Sequence, residues 1–190
     1  MKKLILIFSI LSMFPDISCV IARVPSYFVS EGLSKNGMGK APSGTSCWSY
    51  HGEDLPYAPY KTRTIDILKI LKEEKELKLL LINKDKDVTP ETVIPVEKIN
   101  GPVLLISSKH DEVWPSYESA CIIEEKLKAA SFPYTCKHIV FENIGHGAIV
   151  HIPWLYKLAF ISERQHPKEC AEDREKLKKE LLSWVNNTWE

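Results

Sequence analysis

The sequence predicts an α/β fold, a mostly parallel sheet with helices on both faces. Two observations predict it. The runs "PVLLISS" (102–108) and "TCKHIVF" (135–141) are strand-length segments bounded by turn residues, as buried parallel strands are. Amphipathic patterns over 116–130 and 169–188 alternate with them, and alternation of this kind is the signature of a sheet covered by helices. The length of 190 residues suits one domain with a sizeable core, and one domain is expected across 1–190.

In chain order, Lys2 and Lys3 precede an apolar run to Phe14. Two expectations compete here. One is a buried helix over 3–14, turned at Pro15-Asp16. The other is a signal-like segment over 1–18 that ends at Cys19, against which Pro15 and Asp16 stand where small neutral residues belong. The run is too short to span a bilayer. Residues 18–29 read as a strand and its exit, with Pro25 closing it. Residues 30–60 read as a long loop whose glycines and prolines exclude regular structure, anchored by Trp48, Tyr50, Tyr57 and Tyr60. Such loops often border pockets.

Residues 63–82 repeat Ile67, Leu68, Leu71, Leu79 and Ile82 at helical spacing, with Lys and Glu on a solvated face. A polar turn follows at 83–91, then the buried strand at 102–108. The helix over 116–130 carries Ala120, Ile123 and Leu127, and Ser116 is read as its N-cap. After the strand at 135–141 come Gly145-His146-Gly147, an apolar-rich segment over 148–161 and the final helix.

Lysine plus arginine and aspartate plus glutamate both number 25, so net charge gives no reason to expect nucleic acid as a partner. The five cysteines are scattered, without Cys-x-x-Cys or His-x-x-x-His spacing. No metal and no cofactor are expected from these patterns. The cysteines read as thiols of a reducing compartment, so the cytoplasm is the expected location, with export through the N-terminal run as the alternative.

Chemistry concentrates in two segments. In "LLISSKHDEVWPS" a buried strand ends in a turn holding Asp111. In "IVFENIGHGA" another ends in a turn holding His146, 35 residues on. The carboxyl ends of parallel strands share one crevice, so the two residues meet on one rim. A carboxylate bonded to imidazole Nδ1–H fixes the tautomer that acts as general base. The acid-then-histidine order is that of α/β-hydrolases. His110, His138 and His151 read as structural or exposed.

"INGPVLLISSKHDEVWPS" and "IGHGAIVHIPW", with "SCWSYHGEDLPYAPY" upstream, resemble the C-terminal domain of the acyl-CoA thioesterase and bile acid-CoA:amino acid N-acyltransferase family along nearly all of residues 4–190. The resemblance implies the C-terminal portion of an α/β-hydrolase fold and acyl transfer from a CoA thioester or related acyl ester. Asp111 is then the triad acid and His146 the triad base. It also places the helix after the nucleophile at residues 3–14, with the nucleophile upstream of Met1, so the chain is expected to be an N-terminally truncated fragment that is inactive alone. Where relatives carry a bulkier and an acidic residue after the histidine, Gly147, Ala148 and Ile149 stand here.

Ser34, in "EGLSKNGMG", resembles the start of a nucleophile turn, but "KNGMGKAPSG" after it cannot open a helix, and Asn36 holds the place of the second glycine. Cys19 and Cys47 lie on no glycine-flanked turn. Two other functions stay open. One is a non-catalytic module binding an acyl lipid or a partner; the other is a dienelactone hydrolase-like esterase.

Overall fold

A computed structural model of the chain describes residues 3–5, 17–32, 44–60, 87–148, 151–158 and 160–188. The expected helix over 63–82 and Ser34 lie outside them. The main sheet has the order β1-β2-β5-β6, formed by β1 (Lys3–Ile5), β2 (Ile17–Arg23), β5 (Val103–Ser108) and β6 (Cys136–Phe141). All three pairings are parallel. The α/β fold expected from the alternating pattern is the fold observed.

Strand β5 is buried at all six positions, because helices cover both faces. Alternation sorts its side chains. Val103 and Leu105 join Val20, Ala22 and the inner stripe of α1 (Ser116–Ala129), namely Ala120, Ile123 and Leu127. Leu104 and Ile106 face the other way, against Ile21, Phe141 and the Leu177 and Trp184 of α4 (Pro167–Thr188). Gly101 is required just before β5, since a Cβ there would collide with the carbonyl of Ser18.

Three expectations change. Residues 3–5 are extended and pair with β2, where a helix over 3–14 was expected; residues 6–16 lie outside the description. Ser116 is the first residue of α1, not its cap: Pro115 holds the cap position, and the Ser116 hydroxyl reaches the backbone of Ser108. The loop over 30–60 holds a small hairpin, β3 (Ser49–Tyr50) with β4 (Glu53–Asp54). Its two-residue turn, His51-Gly52, has φ of 51° and 86°, the left-handed pair that matches strand twist in tight hairpins. Glycine disposes a chain to such turns as well as to irregular loops.

That loop is anchored through Glu31, which is buried and accepts the backbone N–H groups of Gly44 at 2.6 Å and Tyr60 at 3.0 Å. Trp48 and Tyr57 pack on the α1-side core as expected. The loop borders an open pocket lined by Asp54, Leu55, Tyr57 and Thr92, a lining that includes neither Asp111 nor His146. Among the described residues no helix is long and apolar enough to cross a membrane.

Candidate functional site

The carboxyl ends of β5 and β6 carry the two turns singled out in the sequence. After Ser108 the chain turns through Asp111, whose Oδ1 accepts the backbone N–H groups of Val113 at 3.0 Å and Trp114 at 3.2 Å. An aspartate bonding the backbone two and three residues on is a self-made turn. It buries the carboxylate, leaving its side chain 1% exposed.

The turn after β6 presents His146, whose Nδ1 lies 3.0 Å from Asp111 Oδ1 and 3.1 Å from Oδ2. The pair predicted from sequence is brought together. A carboxylate already accepting two N–H groups takes a third from the ring, so the proton sits on Nδ1 and Nε2 keeps its lone pair. Trp114 meets the imidazole edge to face, with centroids 4.3 Å apart, and Phe160 lies at 6.4 Å. The Trp114 indole N–H donates to the Val24 carbonyl at 2.9 Å and ties the turn to the end of β2. Val24 there has φ of 42°, an unusual value for a β-branched residue and a mark of backbone strain beside the site. Desolvation pushes the Arg23 guanidinium below its ordinary value, while the Asp111 charge acts the other way.

The position of His146 depends on a residue that sequence reasoning missed. Glu112 is buried, and its carboxylate accepts the backbone N–H of His146 at 2.8 Å, the Ser162 hydroxyl at 2.5 Å and the Ser162 N–H at 3.2 Å. Gly145 makes room for it, because a Cβ there would fall on that carboxylate. Gly147 is equally confined: a Cβ would stand 3.0 Å from Ile152 Cδ1, so a bulkier residue at this place would crowd Ile152 and Phe160.

A second clamp comes from α4. Asp173 accepts the N–H groups of Asn143 and Ile144, both at 3.1 Å, and the Cys170 thiol donates to the Asn143 carbonyl at 3.2 Å. Burial pushes the Cys170 thiol up to about 11, helped by the charges of Asp173 and Glu112.

Cys19 is buried within β2, Cys47 is exposed on the loop, and no disulfide joins the five cysteines. Ser116 is buried at the start of α1 with its hydroxyl on Ser108. Among the described residues no serine or cysteine hydrogen-bonds His146 Nε2. Ser34 lies outside them. The arrangement can take and return a proton at Nε2, with the resulting imidazolium stabilised by Asp111.

The family model described as BAAT / Acyl-CoA thioester hydrolase C terminal matches residues 6–156. The match contains Asp111 and His146, ends within α2 (Trp154–Lys157) and stops short of α3 (Ile161–Gln165) and α4. No curated protein matches the chain.

Proposed function

This chain belongs to the BAAT/acyl-CoA thioester hydrolase C-terminal family, and from that premise we propose that His146 and Asp111 are the general base and orienting acid of acyl transfer from a CoA thioester. The observation that supports this is the bond between His146 Nδ1 and the buried Asp111 carboxylate at neighbouring strand ends. A serine or cysteine attacks the thioester carbonyl while its proton passes to Nε2. The imidazolium then returns that proton to the departing CoA sulfur. Water then attacks the acyl carbonyl as its proton passes to the same Nε2, and the imidazolium returns that proton to the serine or cysteine as the acyl group leaves as a carboxylic acid. Water is the proposed acceptor, since no feature of the sequence marks an amino-acid site.

In this proposal the residues described here are the acid–base half of the site, and the nucleophile is a serine or cysteine outside them. Ser34 is not assigned the role, because the glycines and proline that follow it in the sequence predict no helix to aim a backbone N–H at the oxyanion. The test combines acyl-CoA binding with mass spectrometry of the 190-residue protein after incubation with acyl-CoA. The expected result is binding, with any acyl adduct falling outside the described residues. An adduct on a serine or cysteine among the described residues, with CoA release lost in His146→Ala, would overturn the half-site assignment. Failure to bind acyl-CoA would overturn the substrate class.

A further inference from the structure

On the α1 face of the sheet, away from the Asp111–His146 pair, a second histidine is held at both ring nitrogens. His138 Nδ1 lies 2.7 Å from Glu124 Oε2, and its Nε2 lies 2.7 Å from Ser107 Oγ. Tyr117, Cys121 and Glu124 fall at i, i+4 and i+7 along α1, so one helical stripe faces the sheet here. The Tyr117 ring stacks on His138, with centroids 6.0 Å apart. The ligating atoms of Cys121, Glu124 and His138 all lie within 4.8 Å of one another.

We propose that Cys121, Glu124 and His138 bind a divalent transition metal of the zinc type, with water in the fourth position. The donor set selects the metal. A thiolate, an imidazole and a carboxylate together are zinc ligands, whereas magnesium and calcium call for oxygen alone. The geometry is close to that of a bound state. Zinc bond lengths in a tetrahedron set donor atoms about 3.4–3.6 Å apart. Reaching that spacing opens the His138–Glu124 contact slightly and draws the Cys121 sulfur in by a rotamer adjustment.

Ser107 supplies the outer contact. A metal-bound imidazole donates its other N–H to a fixed acceptor, and the Ser107 hydroxyl stands at Nε2 to receive it. On binding, the Cys121 thiol releases its proton to solvent. The imidazole proton moves through solvent from Nδ1 to Nε2, and the Ser107 hydroxyl turns from donor to acceptor. A His–Glu pair alone would need neither the sulfur nor the hydroxyl. Access is open on the helix side, where the Glu124 side chain is 25% exposed. Two of the ligands come from one helix and the third from an adjacent strand, so no run of ligands along the chain marks the site.

The experiment uses tag-free, chelator-treated protein. Cobalt(II) is added first, and zinc(II) then competes for the site. The expected result is one cobalt per chain, with tetrahedral ligand-field bands and a sulfur-to-cobalt charge-transfer band. Cys121→Ser removes the charge-transfer band, and Glu124→Gln weakens zinc by about tenfold or more, the scale of losing even an outer contact of a metal-bound imidazole. Asp111→Asn leaves binding unchanged. Zinc also protects Cys121 in the unaltered protein from alkylation while exposed Cys47 reacts as before, a readout that survives if a variant fails to fold. No charge-transfer band, unchanged affinity in Cys121→Ser, loss of binding in Asp111→Asn, or no protection of Cys121 would each overturn the proposal.

Discussion

The carboxylate of Glu112 accepts the backbone N–H of His146 at 2.8 Å, while Asp111, its neighbour in sequence, accepts the same residue's ring N–H at 3.0 Å. One carboxylate fixes where the histidine is and the next fixes which way it points. The two sites of contact, main chain and ring, separate the roles cleanly enough to be tested one at a time.

Glu112→Gln keeps the side-chain volume but offers one acceptor where three donors converge. Its amide nitrogen then faces an N–H or the Ser162 hydroxyl. The expected cost is about 1–3 kcal/mol, the scale of a buried donor left unpaired. Chemical denaturation measures it. An unchanged midpoint would show that Glu112 does not hold the turn.

Asp111→Asn replaces an acceptor of three N–H groups with a group that also donates. Nitrogen NMR of the His146 ring should report Nδ1–H in the unaltered protein and a mixture of tautomers in the variant. In an acyl-transfer enzyme with its nucleophile in place, the same change should lower turnover on the order of 10⁴-fold, the loss seen when a serine-protease histidine is left in the wrong tautomer.

Trp114→Phe deletes the N–H that reaches the Val24 carbonyl and keeps an aromatic ring beside His146. A loss of about 1 kcal/mol is expected, a typical net hydrogen bond. The mobility of the His146 ring should rise as well, read from NMR relaxation. A variant as stable and as rigid as the original would remove Trp114 from the account of the site.

Alkaline pH should weaken the fold. Burial raises the Cys170 thiol from 9.0 to about 11, burial raises Cys136 likewise, and burial raises the Tyr60 phenol from 10.0 to about 12. A group whose folded value is raised binds its proton more tightly in the native state. Its contribution is complete below the unfolded value and is lost as pH climbs through the folded one. Denaturation midpoints should therefore fall between about pH 9 and pH 11 for the thiols. Cys170→Ala should flatten that slope. A midpoint indifferent to pH over this range would count against burial of these groups.

Asp111 and His146 could be read together in the sequence because each follows a strand-length segment bounded by turn residues, although β6, unlike β5, buries only Ile139 and Phe141. Parallel strands then bring their ends to one rim, so spacing along the chain becomes proximity in space. Glu112 offered no such signal. It stands in "KHDEVWPS" beside an aspartate already given a role, and its partner Ser162 lies 50 residues away. A buried carboxylate is legible only when its donors are known. The hairpin at Ser49–Asp54 was hidden for another reason: the glycine that makes its turn also reads as a loop former. At residues 3–5 the apolar pattern fits strand and helix alike, and pairing with β2 decides between them. His138 read as structural or exposed because its partners come from α1 and from β5, and neither is near it in sequence.

Asp173 and Cys170 grip the turn before His146 from a helix that begins only at Pro167. During synthesis, the sheet and its two strand-end turns are translated well before that grip exists. Asp111 and His146 can therefore meet early but stay loosely held until the closing helix docks, so the turn that carries His146 should be the last part of the molecule to become rigid and the first to loosen under stress.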